Sequence, residues 1–487
     1  MKVLMISSEA FPFAKAGGLA DAVSALSKAL SQKGVDVRIL MPRYYTIERE
    51  RLDPVFRNIS VYMKFSDFHV DFYGTMLPES SVQVYFMDFE RFFGRDGIYG
   101  NNFETDFHDN PLRFSLLAHS MFALCKKLKW IPDVVHCHDW TSALAPVLIK
   151  NAAALNYDDF SKIGTCFTIH NMGYQGRYPG NAYQFLGLPE NLRFSSGFDD
   201  FGSINFLKAA ITSSSMITTV SPTYANEICT PEGGFGLDGL LRVRSNAFFG
   251  ILNGVDTQQW NPKIDSYIAK NYSSEKLEGK KMCKAALQRR FHLPVDENKA
   301  VIGIVTRLAE QKGIKELFAP FYGCMWRICE DLNVQVVIVG TGEKWCEDEI
   351  LRLTEHFENF GSFLGYSEAL SHIVEAGSDF FLMPSKYEPC GLNQIYSMIY
   401  GTLPIVHQTG GLADTVSKYN EETGEGTGFT FYDLTPDAVY NTVKYAVDIF
   451  RKRKKIFKKI QKSAMNQSFP WSVAAEKYLG LYEKIKT

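Results

Sequence analysis

A lysine and two glycines near the start of the chain form the first pattern that could bind an anion. Lys15, Gly17 and Gly18 follow a short apolar strand at residues 3–6, and from Leu19 onward apolar residues recur at helical spacing. A helix N-terminus offers unpaired N–H groups, glycine lets a ligand approach the backbone closely, and the lysine adds a positive charge. The stretch therefore predicts one wall of a phosphate pocket.

Two cations in the second half of the chain, Arg307 and Lys312, follow an apolar strand at residues 300–305. Arginine can bind a diphosphate through two parallel hydrogen bonds, and lysine binds it as a compact charge. Fixed cations also stabilise the negative charge that develops on a departing nucleoside diphosphate. The pair indicates a diphosphate site, and a surface arginine and lysine without a role is the alternative.

A third pattern joins Glu388 to a glycine turn at Gly391 and Leu392, before a helix predicted at residues 391–400. The N–H groups of this turn could hold a phosphate or sugar oxygen, and Glu388 could accept hydrogen bonds from sugar hydroxyls. A glutamate near a helix start also interacts favourably with the helix dipole, so a structural role stays open. Cys390 has no histidine beside it in sequence, which favours a small buried residue over a nucleophile.

Polar side chains also follow two predicted strands of the first half. Asp139 comes directly after the strand at residues 134–137, and His170 and Asn171 follow the strand at residues 164–169. The carboxyl ends of parallel strands are where open α/β sheets bind ligands. These residues are therefore candidates for a site, although a structural role for the histidine is about as frequent. The spacing of histidine, cysteine and acidic residues predicts no metal site.

The elements that must position these side chains alternate between strands and helices, which predicts an α/β fold with parallel sheets and right-handed crossovers. An aromatic stretch at residues 50–110 predicts an antiparallel excursion. Apolar runs predict further strands at residues 35–41, 334–339, 379–383 and 403–406. Further helices are predicted at residues 111–128, 274–291, 314–329, 343–360 and 472–486.

The pentapeptide Gly-Gly-Leu-Ala-Asp occurs at residues 17–21 and again at residues 410–414, each time after a short apolar strand. The repeat indicates two Rossmann-like halves with the chemistry between them, and for the second copy a simple packing turn is the alternative. We expect an N-terminal domain at residues 1–257, a C-terminal domain at residues 258–470, and a final helix in residues 471–487 that crosses back to the first domain.

The composition excludes several classes of protein. A net charge of −2 gives no indication of a nucleic-acid partner, and no apolar run is long enough to span a membrane. Nine scattered cysteines and an N-terminus without a signal pattern predict a cytoplasmic protein with reduced thiols. The stretch at residues 451–462 carries eight lysines and arginines, and it is typical of a solvated helix face, with a surface for a membrane or polyanion as the alternative.

With these motifs in order along the chain, the sequence resembles the glycogen and starch synthases of bacteria and plants. The resemblance implies a GT-B fold, in which two Rossmann-like domains face a deep cleft that opens and closes. It implies transfer of glucose from ADP-glucose to the non-reducing 4-hydroxyl of an α-1,4-glucan, with retention of configuration and without a metal or other cofactor. It rests on these segments: residues 15–21, 138–140, 170–171, 253–256, 307–312, 388–392 and 409–416.

The resemblance also implies roles for individual positions. The residues it places in catalysis are His170, Arg307, Lys312 and Glu388. Those it places around the donor are Lys15, Gly17, Gly18, Tyr366, Ser385, Cys390, Gly391 and Leu392. Those it places around the sugar and the acceptor are Asp21, Tyr99, Asp139, Asn171, Asn253 and Gln311. In this family Tyr366 would stack on the adenine, and the main-chain carbonyl of His170 would face the developing oxocarbenium ion.

The sequence departs from the family pattern at small positions beside the charged residues. Ala16, Ala22, Thr141 and Asn393 replace the residues usual there. These changes favour a retained activity and leave the acceptor preference open. A related transferase that uses UDP-glucose or another acceptor is one alternative, and a glucan-binding protein without turnover is another.

Overall fold

The computed structural model describes residues 1–64, 66–101 and 104–486. Phe65, Asn102 and Phe103, in the predicted antiparallel stretch, and Thr487, in the predicted final segment, lie outside the described residues. The packing of the backbone divides the chain into two units, residues 1–254 with 471–487 and residues 255–470. Residues 255–257, which we expected in the N-terminal domain, therefore group with the second unit.

The first unit contains a large sheet whose strand order is β12-β11-β7-β6-β1-β2-β5-β4-β3. From β12 to β5 neighbouring strands are parallel, and β5, β4 and β3 pair antiparallel, which confirms the antiparallel pairing predicted within residues 50–110. A small antiparallel sheet has the order β8-β10-β9. The strands are β1 (Lys2–Ile6), β2 (Asp36–Pro42), β3 (Asp53–Met63), β4 (Ser66–Met76), β5 (Gln83–Asp88), β6 (Val134–His138), β7 (Gly164–Ile169), β8 (Arg177–Pro179), β9 (Asp199–Asp200), β10 (Ser203–Asn205), β11 (Met216–Thr219) and β12 (Phe248–Gly250).

The helices of the first unit connect and cover these strands. The final helix of the chain belongs to this unit, where Tyr482 reaches the buried His136 of β6 with its hydroxyl 2.7 Å from Nδ1. The α-helices are Gly18–Gln32, Glu90–Phe93, Asn110–Leu128, Leu144–Lys150, Leu192–Ser195, Phe206–Ser213, Pro222–Glu227, Asp238–Val243 and Trp471–Ile485, and the 3-10 helices are Arg49–Arg51, Trp140–Ser142, Ala153–Leu155, Asp158–Phe160, Gly180–Leu186 and Ser245–Ala247.

The second unit contains a wholly parallel sheet in the order β15-β14-β13-β16-β17-β18. Its strands are short apolar runs, because helices cover both faces of a parallel sheet and bury side chains on each side. The strands are β13 (Val301–Val305), β14 (Gln335–Gly340), β15 (Phe360–Leu364), β16 (Phe380–Met383), β17 (Leu403–His407) and β18 (Phe429–Phe431). The α-helices are Glu278–Arg290, Ile314–Phe318, Met325–Asp331, Lys344–His356, Glu368–Gly377, Asn393–Ile399, Gly410–Thr415, Pro436–Lys452 and Lys454–Met465, with a 3-10 turn at Glu310–Lys312.

Four helix predictions in this unit are wrong in extent, and the first is that at residues 274–291, where the helix begins only at Glu278. The helix predicted at residues 314–329 is two helices, because Pro320 offers no N–H to continue the first one and Phe321 adopts a left-handed φ of 62°. The helix predicted at residues 343–360 ends at His356, and Phe360 already belongs to β15. The helix predicted at residues 391–400 begins only at Asn393. Within the described ranges, no helix is both long enough and apolar enough to span a membrane.

Candidate active site

The glycine turn of the first unit is held by a buried glutamate that the sequence patterns did not single out. The helix Gly18–Gln32 begins after Gly17, as predicted. The backbone N–H groups of Ala16 and Gly17 donate to Oε2 of Glu9, at 2.5 and 3.1 Å. The N–H of Gly17, a predicted donor-binding residue, is therefore occupied by a side chain of the same unit, as is that of Ala16. Lys15 and the N–H groups of the first helical turn, which have no intrahelical partner, remain candidates for ligand contacts at this turn.

Glu9 is also bonded on its other oxygen. The hydroxyl of Tyr99, a predicted site residue, donates to Oε1 of Glu9 and lies 2.9 Å from Oγ of Ser8. Thr141 donates to the same Ser8 hydroxyl at 3.0 Å, so the network extends to the carboxyl end of β6. Burial raises the pKa of the Glu9 carboxyl, while the bonds from Tyr99 and from the turn lower it. Glu9 could have been found by its position three residues after β1, at a sheet edge that carries other polar groups.

Lys15 and Asp21 form an ion pair at the start of the same helix. The Nζ of Lys15 lies 2.9 Å from the Asp21 carboxylate and 5.3 Å from the centre of the Phe11 ring. The side chains keep 31% and 24% of their surface exposed, so a ligand can reach both of them. Asp21, predicted on the sugar side, is placed by the structure beside the lysine that we assign to phosphate.

Asp139 organises the main chain at the ends of β6 and β7. Its own backbone has a φ of 56°, which is rare for a residue other than glycine and marks a strained position. Its Oδ1 accepts the backbone N–H of His170 at 2.7 Å. Burial raises the pKa of Asp139 to about 7, against the opposite effect of hydrogen bonds from the N–H groups of His170 and Asn171. Sequence reasoning placed these three residues at one sheet edge, and the structure brings them into contact.

Three histidines are packed together behind this edge. Nε2 of His170 lies 3.1 Å from Nδ1 of His138, and the ring of His138 packs against the ring of His136 with centroids 4.1 Å apart. Burial lowers the pKa of His170 and of His136 to about 3, and that of His138 well below its ordinary value. His170 is therefore a neutral imidazole at neutral pH, and its neighbours fix the orientation of its ring.

Two further predicted residues of the first unit are placed by their local structure. Asn171 accepts the N–H of Gly173 with its side-chain oxygen at 2.9 Å and shapes the loop after β7. Asn253 follows β12 and is 7% exposed.

In the second unit, Lys312, Glu388 and Ser385 meet at the carboxyl ends of β13 and β16. The Nζ of Lys312 lies 2.5 Å from Oε2 of Glu388, and the hydroxyl of Ser385 donates to the same oxygen at 3.0 Å. The Lys312 and Glu388 side chains are 17% and 9% exposed. Arg307 also follows β13 and is exposed, and among the residues that the structure describes no carboxylate pairs with its guanidinium. This edge of the sheet therefore presents the guanidinium of Arg307, which has no carboxylate partner among the described residues, and the ammonium of Lys312, which is paired with Glu388.

The loops that carry these side chains are fixed to each other. Gly313 has a left-handed φ of 72°, and a Cβ there would lie 2.0 Å from the carbonyl oxygen of Pro384, so only glycine fits. The N–H of Lys386 donates to the carbonyl of Gln311 at 2.8 Å, and the Gln311 side chain donates to the carbonyl of Tyr387 at 3.2 Å. Gln311, predicted on the sugar side, therefore ties the loop after β13 to the loop after β16.

The second copy of the repeated pentapeptide serves packing in this structure. The N–H of Gly411 donates to the carbonyl of Glu388 at 3.0 Å, and a Cβ at Gly411 would lie 1.9 Å from the carbonyl oxygen of Cys390. The helix Gly410–Thr415 is a short element laid against that loop. Of the two interpretations of the second copy, the structure favours the packing turn.

The turn after Glu388 completes this edge. Gly391 adopts a left-handed φ of 69° and Leu392 precedes the helix Asn393–Ile399, so both N–H groups stand at the start of that helix. Cys390 is 6% exposed, as expected for a buried residue. The side chain of Asn393, where the family pattern has threonine, donates to the carbonyl of Val305 at 2.9 Å and ties the turn to β13.

Tyr366, the residue predicted to stack on the adenine, follows β15 on a loop and is 74% exposed. No group of three or more histidine, cysteine or acidic side chains that could hold a metal occurs in the part of the chain that the structure describes.

Comparison with known proteins relates both units to enzymes of sugar transfer. The family profile of the starch synthase catalytic domain matches residues 2–243, and that of glycosyl transferases group 1 matches residues 287–463. The catalytic domain of starch synthase IV from Arabidopsis thaliana, solved with ADP and acarbose, superposes with a TM-score of 0.89 at 31% identity over 99% of each chain. Sucrose-phosphate synthase from Thermosynechococcus elongatus shares the fold, with a TM-score of 0.59 at 16% identity.

Two units that each contain a parallel sheet, together with the match to a starch synthase over 99% of each chain, define a GT-B glycosyltransferase. A glycogen synthase of Treponema denticola is 53% identical over 482 residues, which cover 99% of this chain and 98% of that protein. A glycogen synthase of Thermotoga maritima is 38% identical over 493 residues, with 99% of each chain covered. The chain belongs to the glycogen synthase family.

Proposed function

We propose that this chain transfers glucose from ADP-glucose to the non-reducing 4-hydroxyl of an α-1,4-glucan, with retention at the anomeric carbon. The observation that carries the proposal is the edge of the second sheet, where Lys312 contacts Glu388 and the exposed Arg307 lies on the same loop as Lys312. Such a group suits a diphosphate joined to a sugar, because the cations stabilise the leaving phosphate and the carboxylate accepts sugar hydroxyls. A relative solved with ADP and acarbose supports both ligand classes.

The second unit would bind the donor. Arg307 would hold the diphosphate bidentately, and Lys312 would share its charge between the distal phosphate and Glu388. Oε2 of Glu388 already accepts from Lys312 and Ser385, so we assign Oε1 to a hydroxyl of the donor glucose. The N–H groups of Gly391 and Leu392 would take further oxygens of the same ligand, and the exposed ring of Tyr366 would stack on the adenine.

The first unit would bind the reacting sugar and the acceptor. His170 is neutral, so its main chain rather than a charged imidazole would face the developing positive charge. Asp139 fixes that main chain through the N–H of His170. The turn at Lys15 and Gly18 would add a cation and helix N–H groups for phosphate. Asn171, Asn253 and Tyr99 would surround the sugar, and the ion pair of Asp21 with Lys15 would orient the lysine.

The test is turnover with matched donors. The purified chain is incubated with a maltooligosaccharide primer and either ADP-glucose or UDP-glucose, and the released nucleoside diphosphate and the product linkage are measured. We expect ADP release with new α-1,4 linkages, and at least about tenfold slower reaction with UDP-glucose. Faster reaction with UDP-glucose would overturn the donor assignment, and primer binding without release of either nucleotide would overturn transferase activity.

A pair of arginine variants tests the assignment of Arg307 to the diphosphate. Arg307→Ala should lower kcat by about 10²-fold or more, since it removes a charge contact to the leaving group. Arg289, an exposed arginine at the end of the helix Glu278–Arg290, provides the matched variant, and Arg289→Ala should stay within about twofold of the unaltered chain. Equal kinetics in the two variants would contradict the role of Arg307.

A further inference from the structure

Glu9 is a buried carboxylate with one oxygen bonded to the glycine turn at residues 16–17 and the other bonded to Tyr99. It is 2% exposed, it accepts the N–H groups of Ala16 and Gly17 on one oxygen, and it accepts the Tyr99 hydroxyl on the other. A carboxylate without such partners is costly to bury, and hydrogen bonds to an ionised group are stronger than neutral ones. Two of these bonds therefore tie Glu9 to the turn, and the third ties it to Tyr99.

Side-chain packing does little to hold this turn at Gly17, although the backbone N–H of Ala14 donates to the carbonyl of Ala10 at 3.0 Å and Lys15 is paired with Asp21. Lys15, Ala16 and Gly17 are all exposed, and a Cβ built at Gly17 meets no atom within 4 Å. Side-chain packing therefore does not define the path of the backbone at Gly17. The extended φ of −159° at Gly17 is open to any residue, so the backbone is not locked by conformational strain either. The bonds to Glu9 hold the backbone N–H groups of the two residues directly before the helix Gly18–Gln32, and the ion pair with Asp21 holds the side chain of Lys15.

We propose that Glu9 is a positioning residue for the donor diphosphate. By occupying the N–H groups of Ala16 and Gly17, its carboxylate fixes the direction of the next N–H groups, which belong to the first helical turn, and the starting point of the Lys15 side chain. The turn is thereby ordered before the ligand arrives, and binding does not have to order it. The inference rests on the proposed function, in which this turn binds the diphosphate of a nucleotide sugar.

The network also explains how an acidic residue can stand beside a phosphate site. A carboxylate on the ligand side of the turn would repel a phosphate. Glu9 is instead buried beneath the turn, and the two N–H groups that it accepts lie between its charge and the exposed face. Lys15 is paired with Asp21 on the exposed side, where its charge remains within reach of a ligand.

The experiment compares Glu9→Ala, Glu9→Gln and the control Glu232→Gln in the full chain. Glu232 is an exposed glutamate in a loop of the same unit. Binding of ADP alone and of UDP alone is measured by calorimetry, and the KM values for the nucleotide sugar and for the glucan are measured separately. Amide hydrogen exchange is followed at Ala16 and Gly17.

Glu9→Ala should weaken nucleoside diphosphate binding by about tenfold or more and raise the KM for the donor, with a smaller rise in the KM for the glucan because Tyr99 also loses its bond to Glu9. Exchange at Ala16 and Gly17 should become fast. Glu9→Gln keeps an oxygen that can accept both N–H groups, so it should recover most of the lost affinity. Glu232→Gln should match the unaltered chain. If Glu9→Ala does not fold, Glu9→Gln and its exchange rates still test the role.

Two results would overturn the proposal: unchanged diphosphate affinity in Glu9→Ala, or equal losses of affinity for diphosphate and glucan, which indicate a merely structural role. Failure of the proposed function would give a different result in the binding measurements. If the unaltered chain binds UDP and not ADP, the donor assignment fails, and the effect of Glu9→Ala on UDP binding still decides the role of Glu9.

Discussion

Replacing Lys312 by methionine tests the charge arrangement of the second unit most sharply, because the change removes the ammonium and keeps most of the side-chain length. Its Nζ lies 2.5 Å from Oε2 of Glu388, and the two side chains are only 17% and 9% exposed. Removing one partner of a buried ion pair costs about 3–5 kcal/mol, since the remaining charge stays buried. Partial exposure of Lys312 places the expected cost near about 3 kcal/mol. For a unit of this size, that lowers its Tm by roughly 6–12 °C.

The same substitution should lower kcat by ~10²–10³-fold, the usual cost of removing one contact to charge that develops in a transition state. Thermal unfolding and steady-state kinetics with ADP-glucose measure the two effects. Adding Glu388→Gln to Lys312→Met removes the unpaired charge, so the double variant should regain most of the lost stability without regaining turnover. An unchanged Tm in Lys312→Met would contradict the ion pair. A kcat within about threefold of the unaltered chain would refute the catalytic role of Lys312.

Two further predictions concern the titration of Asp139 and the backbone conformation at Gly313. Because burial raises the pKa of Asp139 to about 7, this carboxyl binds a proton more readily in the folded than in the unfolded chain between about pH 4 and 7, and its contribution to stability falls as the pH rises. Asp139→Asn should remove that dependence in denaturant titrations at pH 5, 6 and 7, and an unchanged slope would contradict it. Gly313→Ala should destabilise by about 2 kcal/mol or more, whereas Gly480→Ala, at an open helical position, should stabilise by up to about 1 kcal/mol in the same assay.

The parallel sheets could be predicted because their strands are buried on both faces and so appear as short apolar runs. The strands at Val301–Val305 and Gln335–Gly340 were predicted within one residue at each end. The polar groups at their carboxyl ends could be predicted as well, since those ends share one edge of a sheet. The same reasoning located Arg307, Lys312 and Glu388 without any knowledge of which side chains touch.

The contacts within the site could not be predicted, because they join residues that are distant in sequence or that follow no periodic pattern. Lys312 and Glu388 are 76 positions apart. Glu9 lies seven positions before Ala16, and no periodic pattern links the two residues. The break after Phe318 was signalled by Pro320, but apolar residues at helical spacing continue beyond it and favoured one long helix.

The central claim is that the cations after β13 hold the diphosphate of the donor. A crystal structure of the chain with ADP tests it most directly. We expect phosphate oxygens within hydrogen-bond distance of both Arg307 and Lys312, with the ammonium of Lys312 still in contact with Glu388. ADP bound with its phosphates away from both side chains would contradict the account.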